Sequence, residues 1–555
     1  MDNQNENAVF EDKMTSIKAG QESLAFAPYT NKTIRMRKTN TPTNNRHTGL
    51  FSKQGFQVAS LAAAMFLGGC MSKVGELPEE VQVKVPEKWQ PKPATITPEP
   101  SKDNKDSEVT IEEPKPVLNG WLNSFDDAAL NAHVEKALSN NPDLLSSAAT
   151  LKNAIEAVTV TGSALWPQLS FTTSGSNRES SAAAATGGAA TGDSTTEIRS
   201  IGGTLNIQWE ADIWRKLSQR KKASALTAQA QGELFKAAEL SLVANVSRAW
   251  YNLATNKLQL DLAQKRLESF QSTSNLIEEN YERGLTSALD VYLSRTDVQL
   301  QISALADSKY NYVQALRALK TLLGEYPDAS TELNLSLPEL NSTVPTGLPA
   351  DLLTRRPDVK ASQLNYQAQI ANAKAAHRDR FPSLTFSGSI GESRDTFNSI
   401  FDSDNSVRSI IASLTQPIFA AGALKAQERI AFNDAEIAYA TLLSTTLTAF
   451  EEVENSLTRE EVLLEQHKAI KEAVKLAQGG LDLALDRYQT GIENYTTVLQ
   501  SQRSLFDSLS NELNLRNSLL QNRIGIHLAL GGDFATTEAR EANTVPLPSI
   551  QKLDE

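Results

Sequence analysis

The sequence predicts a mostly α-helical chain with a small β part, built from two internal repeats that each run helix, hairpin, long helix, helix. Three observations carry this. NPDLLSSAATLKNAIEAVTVTGSALWPQLSF at 141–171 matches RPDVKASQLNYQAQIANAKAAHRDRFPSLTF at 356–386, pairing Pro142 with Pro357, Pro167 with Pro382 and Phe171 with Phe386 at an offset of 215. YERGLTSALDV at 281–291 matches YQTGIENYTTV at 488–498 at an offset of 207, which also carries Leu323-Gly324 onto Leu530-Gly531. Between these blocks each half holds about 70 residues without proline, with Leu and Ala at helical spacing.

The chain opens on segments that belong to no core. LAAAMFLGGC at 61–70 ends on Cys70, the only cysteine. Basic residues (Arg37, Lys38, Arg46, Lys53) precede the apolar run Phe56 to Gly69, which is too short to span a bilayer as a helix. A basic region, a short apolar run and small residues before a cut describe a signal peptide. Leu-Gly-Gly-Cys resembles the bacterial lipobox, in which cleavage precedes the cysteine and lipid is attached to it. Signal peptides run about 15–30 residues, so translation is expected to begin at Met36. Residues 1–35 are then an extension, 36–69 the signal peptide and Cys70 the lipidation site. Eight prolines between residues 76 and 119, mixed with Glu and Lys, make 70–120 an extended tether.

The body then divides into repeat 1 at 121–340 and repeat 2 at 341–534, with a flexible tail at 535–555. Each repeat starts with a helix, Asp126 to about Thr161 and Asp351 to about Arg380. A hairpin follows. Leu169, Phe171 and Thr173 alternate with Gln168, Ser170 and Thr172, and Ile201, Gly203, Leu205, Ile207, Trp209 and Ala211 alternate with polar neighbours. Leu384, Phe386, Gly388 and Ile390 repeat the pattern. Period-two alternation marks a strand with one apolar face. Trp166 and Trp209, then Phe381 and Phe419, bracket the two hairpins as membrane-interface aromatics do. The eight residues by which repeat 1 is longer fall in SSAAAATGGAATGDSTT, an exposed-loop composition. The long helices run from Trp214 to about Tyr281 and from Gly422 to about Tyr488. Each closes on Y-x-x-G (Tyr281–Gly284, Tyr488–Gly491), where glycine suits the C′ position. Return helices follow, Thr286–Leu323 and Tyr495–Leu530.

Composition excludes several classes. With 54 Lys/Arg against 66 Asp/Glu, the net charge is −12, whereas nucleic-acid binding leaves a basic footprint. All five methionines lie at or before residue 71, and the histidines (His47, His133, His377, His467, His527) are scattered singly without metal-ligand spacing. GGAATG at 187–192 lacks the strand and helix that a dinucleotide loop requires. No nucleophile–base pair stands out, so no enzyme, metal or further cofactor is expected beyond lipid on Cys70.

Four strands per chain cannot close a membrane barrel, since barrels start at eight and an open edge is not tolerated in lipid. The chain must pool strands with copies of itself. Two copies supply eight strands and three supply twelve.

Five blocks give the body its resemblance: WLNSFDDAALNAHVEKALSNNPDL at 121–144, WEADIWRK at 209–216, GLPADLLTRRPDV at 347–359, LTQPIFAAG at 414–422 and YQTGIENYTTVLQSQRSLF at 488–506. Together they resemble the TolC-like outer-membrane channels of tripartite efflux pumps, specifically the NodT-type lipoprotein branch. The resemblance implies a homotrimer whose twelve strands form one outer-membrane barrel, continued by a periplasmic α-helical tunnel closed at its far tip. It places the tip and gate at Tyr281, Gly284, Asp290, Tyr488, Gly491, Gln500 and Arg503. The branch usually carries Leu-Asp-x-Gln-Arg there, whereas this chain reads Leu499-Gln500-Ser501-Gln502-Arg503. Glutamine removes a threefold carboxylate ring but keeps hydrogen-bonding capacity. Asp290 is retained in repeat 1 and is the candidate acid for an inter-helix contact with a base.

The resemblance further implies a passive exit duct for drugs or other small molecules. A periplasmic adaptor would dock at the tips, and an inner-membrane RND-type transporter would supply the energy. Met71-Ser72 after Cys70 lack the aspartate of inner-membrane retention, which agrees with the outer membrane. A type I secretion channel would share nearly all these features, and a lipid-tethered periplasmic coiled-coil scaffold is the reading from another class.

Overall fold

The structure is a computed structural model that describes residues 89, 120–181, 195–329, 335–339, 349, 352–394 and 407–533. Cys70, the proposed signal peptide, the 182–194 loop and the tail after 533 lie outside the described residues, as does nearly all of the tether.

After a 3-10 turn (Trp121–Phe125), the order is α1 (Ala128–Asn140), α2 (Pro142–Ser163), β1 (Gln168–Ser181), β2 (Thr195–Ala211), α3 (Lys216–Glu282), α4 (Ala288–Leu322), α5 (Leu352–Arg355), α6 (Pro357–Arg378), β3 (Ser383–Arg394), β4 (Val407–Thr415), α7 (Ala423–Gln489) and α8 (Tyr495–Ala529). α3 and α7 are both 67 residues long, α4 and α8 both 35. At 1.5 Å per residue the long helices span about 100 Å.

The first helix of each half is interrupted, which corrects the single helices expected there. Asn141 leaves the helical region at ψ 123, and its Oδ1 accepts from Asp143 and Leu144 N–H at 3.0 Å. Its Nδ2 donates to the Leu322 carbonyl at 3.0 Å, tying the break to the end of α4. Proline at N1 keeps the preceding residue out of the helical region. Arg356-Pro357 repeats the break between α5 and α6.

Arg356 explains the most distinctive block of the sequence. It is 8% exposed, forks onto Asp358 (3.0 and 2.7 Å) and reaches Glu452 at 2.6 Å on α7. It also donates to the Ala529 carbonyl at 3.2 Å, at the end of α8. One guanidinium thus joins α6, α7 and α8, as its five-donor fork permits. Burial raises the Asp358 pKa, but the bonds from Arg356 outweigh this and hold it below its ordinary value.

The main core gathers Trp121, Phe125, Leu130, Val243, Trp250, Tyr251, Leu316 and Ile524 around the middle of α3 and the ends of α4 and α8. Trp121 stacks on His527 at 5.4 Å. Burial, with a smaller push from Arg523, lowers the His527 pKa from 6.5 to about 4. Folding therefore favours the neutral ring. That stabilisation is complete above about pH 6.5 and fades as pH falls toward 4, by about 3 kcal/mol across the window. His527→Phe is expected to lose that part of the acid decline in melting temperature, whereas a decline equal to the parent's would contradict the assignment. Gly120 N–H bonds the Asp533 carbonyl at 2.7 Å, joining the start of the body to its end. Trp89 packs on Phe450 of α7 at 6.1 Å, so the tether expected at 70–120 is not a free spacer throughout.

The four strands form one antiparallel sheet in the order β1-β2-β3-β4. The register sets Leu169 and Phe171 opposite Ile207 and Leu205, Trp209 and Leu205 opposite Phe386 and Ile390, and Phe386 opposite Ala412. The expected alternation is therefore a continuous apolar face. Among the described residues nothing covers it: Leu169 is 66% and Ile410 91% exposed. Gln168, Ser170, Asn206, Gln208, Ser387 and Ser389 occupy the other face.

The four bracketing aromatics lie together at the helical end of the sheet, because both ends of a hairpin are neighbours in space. Trp166 and Phe419 are exposed. Trp209 is half-buried, donates to the Leu165 carbonyl at 3.0 Å and stacks on Phe386. Phe381 packs on Trp214 at 5.3 Å, and Trp214 donates to the Pro382 carbonyl at 2.7 Å. They make one belt, not a girdle at both rims. Below it, Lys216 pairs with Glu210 (2.6 Å) and Arg220 with Asp379 (2.7 Å), fixing α3 beneath the sheet. Among the described residues no helix is long and apolar enough to cross a membrane.

Candidate functional site

The helical end away from the sheet is formed by two turns, where α3 passes into α4 and α7 into α8. Gly284 has φ +73° and Gly491 φ +74°, the left-handed region that favours glycine. In the first turn Leu285 N–H bonds the Asn280 carbonyl at 2.8 Å, and in the second Ile492 N–H bonds Arg487 at 2.9 Å, the six-to-one closure of a helix C-terminus. The expected glycine positions therefore stand.

The two turns differ in what they show to water. Tyr281, Leu285, Leu289, Tyr292 and Ile492 are exposed, Leu285 at 73% and Tyr292 at 72%. Tyr488 is buried instead. It joins Ile277, Leu481, Ala484, Tyr495, Val498 and Leu505 in a small core that gives the tip its own packing. The two Y-x-x-G tyrosines are thus not equivalent.

A polar lock crosses this tip. Arg503 on α8 meets Asp297 on α4 at 2.5 Å. Asp297 is 3% exposed, and the Tyr495 hydroxyl reaches its other oxygen at 3.4 Å. Burial and the Asp297 charge hold the Tyr495 phenol protonated far above its ordinary range. Gln502, 1% exposed, donates to Thr273 at 2.7 Å and Ser269 at 3.1 Å on α3. Neighbouring residues of α8 thereby grip α3 and α4. Gln500 is exposed on the same helix.

Among the described residues of this one chain, Asp290 bonds hydroxyls at the start of its own helix and no base. It closes a capping box with Ser287 at the start of α4 and accepts from Thr286 at 2.8 Å. Burial works against its charge, but these bonds hold its pKa below the usual value. Asp290→Ala is expected to cost about 1 kcal/mol at the helix start; a denaturant midpoint equal to the parent's would contradict this role.

Asp297 is the acid that Arg503 meets at this tip, and sequence reading missed it. Its signal is depth. Residue 297 is the tenth of α4 and Arg503 the ninth of α8, so helices that return from the same tip set them level.

Comparisons with known proteins agree with this geometry. The family model described as outer membrane efflux protein matches residues 133–325 and 348–532. The chain is 29% identical over 414 residues to the probable efflux pump outer membrane protein SepC of Pseudomonas putida, covering 75% of this chain and 85% of that one. It is 26% identical over 479 residues to the probable outer membrane lipoprotein SilC of Salmonella typhimurium, covering 86% and 99%. The Campylobacter jejuni outer membrane channel CmeC shares the fold with a TM-score of 0.70 at 21% identity, over 79% of this chain and 95% of its own.

Proposed function

The chain belongs to the outer membrane efflux protein family, and from that premise we propose that it is the outer-membrane exit channel of a tripartite efflux system for drugs or other small molecules. It acts as a passive duct without catalysis. The observation that carries the reading is the sheet: an apolar face on strands of 14, 17, 12 and 9 residues that no described residue covers, with two edges that no described strand pairs. A transmembrane strand needs about 9–11 residues, and lipid tolerates no open edge.

Three chains close a twelve-stranded barrel by joining β4 of one protomer to β1 of the next. The apolar face then meets lipid and the polar face lines the lumen. Outward aromatics at the helical end mark the periplasmic interface. The 67-residue helices carry the duct about 100 Å into the periplasm. Arg503 and Asp297 hold its tip closed. The exposed Tyr281, Leu285, Leu289, Tyr292 and Ile492 offer an apolar rim to a periplasmic adaptor, and an RND-type transporter in the inner membrane supplies the energy.

Lipid on Cys70 anchors the tether. The Leu-Gly-Gly-Cys sequence supports this, as does similarity to a lipoprotein over a span longer than the channel body.

Disrupting the gene in its host is expected to lower the inhibitory concentrations of several unrelated small molecules, with recovery on re-expression of the full chain. Unchanged susceptibilities together with loss of a secreted protein would favour the type I secretion reading.

A further inference from the structure

The helices that leave the sheet carry their charge unevenly. The last turns of α2 and α6, the passage from β2 into α3 and the first turns of α7 cover residues 157–163, 374–380, 210–222 and 423–429. Together they hold ten Lys/Arg against four Asp/Glu. Two turns further from the sheet, at 150–156, 367–373, 223–229 and 430–436, one lysine stands against three acids. A chain of net charge −12 thus gathers six surplus positive charges into a layer about 10 Å deep, next to the belt of Trp166, Trp209, Phe381 and Phe419. Contacts within the chain fix the depth of this layer and occupy its acids. Lys216 pairs with Glu210 and Arg220 with Asp379. His377 and Arg380 both bond Glu428, at 2.6 and 2.7 Å, and join the end of α6 to the start of α7. Asp212 accepts from the Leu217 and Ser218 amides at 2.9 and 2.7 Å, at the start of α3. Arg215, Lys221, Lys374, Arg378, Lys425 and Arg429 meet no carboxylate among the described residues.

We infer that this layer is a lipid-binding collar that sits on the phosphates of net-negative phospholipids, of the phosphatidylglycerol type, in the periplasmic leaflet of the outer membrane. The inference rests on the reading of the sheet as a membrane barrel. Interfacial aromatics lie at headgroup level, and the basic layer follows within about 10 Å, the range over which charge is felt in salt. Three chains bring eighteen surplus charges into one ring. Such a ring repels itself unless counter-charge stands beside it, and the acids of the layer are already engaged. Lipid phosphates lie at the same depth. Phosphatidylethanolamine answers its phosphate with its own ammonium, so a headgroup without an amine is preferred. Lys and Arg stems can lie along the apolar belt while their charged heads reach the phosphates. Each base held at an anionic lipid surface favours it about fivefold.

The test uses the full-length particle, as the parent and as the triple variant Lys374→Gln, Lys425→Gln, Arg429→Gln. Both are reconstituted into vesicles of equal phosphatidylglycerol and phosphatidylethanolamine. Two readouts are taken: the lipids retained on the released particle, counted by native mass spectrometry, and the reversal potential of bilayer currents across a salt gradient. The parent is expected to retain phosphatidylglycerol over phosphatidylethanolamine, and the variant to lose about fivefold of that preference for each base removed. Equal retention by the parent, or a preference undiminished in the variant, overturns the collar. A reversal potential that moves toward cation selectivity in the variant, with the lipid preference intact, also overturns it and gives these charges to the duct. If the variant fails to assemble, salt decides on the parent alone. A preference that falls as salt rises supports the collar, and one indifferent to salt overturns it. A particle that does not insert into vesicles sinks the barrel reading and the collar with it, whereas one that inserts without lipid preference sinks the collar alone.

Discussion

Cells that express Asp297→Asn in place of the parent chain are expected to become permeable to antibiotics too large for the outer membrane, such as vancomycin, without help from any transporter. Asp297 is almost fully buried and receives both Arg503 and Tyr495. Asparagine keeps the shape and removes the charge. Arg503, half-exposed on its side, then relaxes into water. A hydrogen bond to a charged group contributes about 1.5–3 kcal/mol. Three such locks released in concert around a threefold axis reach the roughly 5.5 kcal/mol that turns a mostly closed population into a mostly open one. Arg503→Gln is expected to give the same phenotype, and the double variant to leak no more than either single. Additive leakage, or an Asp297 variant as tight as the parent, would show that closure lies elsewhere. Gln500→Asp is a useful companion, since it restores an acid at an exposed position without touching the lock.

Substituting Arg356 is expected to do the most damage to folding. Arg356→Ala removes the joint between α6, α7 and α8 and takes their shared cation from Asp358 and Glu452. Breaking a buried pair typically costs 3–5 kcal/mol. Asp358 and Glu452 keep partial access to water at 37% and 50% side-chain exposure, so about 3 kcal/mol is expected here. Arg356→Lys should recover only part of it, because an ammonium cannot fork onto Asp358 while reaching Glu452 and the Ala529 carbonyl. The measurement is the denaturant midpoint of assembled protein extracted from the membrane. A midpoint for Arg356→Ala within experimental scatter of the parent would mean that Arg356 does not hold these three helices together.

Local rules made most of the fold legible. The absence of proline marked the long helices, Y-x-x-G marked their ends to within about two residues, and alternation from Leu169 to Thr173 and from Ile201 to Ala211 gave the strands their faces. Pro142 and Pro357 also announced the two helix breaks, but periodicity on either side hid them. What stayed illegible was set by tertiary distance. Asp297 and Arg503 are 206 residues apart, and only the equal depth of two helices below one tip brings them together. Asp290 looked like the better acid because it sits in the family's tip segment, yet a helix start claims such a carboxylate for its own amides. Trp214 was passed over as part of a helix, although it anchors the junction through Phe381 and Pro382. Of the expected Leu-Asp-x-Gln-Arg pattern this chain has Gln502 and Arg503, and Arg503 meets Asp297 of the other repeat.

Pooling of strands between chains is the claim on which the duct, the gate and the lipid-facing sheet all depend. Native mass spectrometry of the intact particle extracted from the outer membrane tests it most directly. Three chains per particle, each carrying the mass of lipid on its processed amino terminus, is the expected result. A particle of one or two chains would contradict the twelve-stranded barrel and with it the threefold gate.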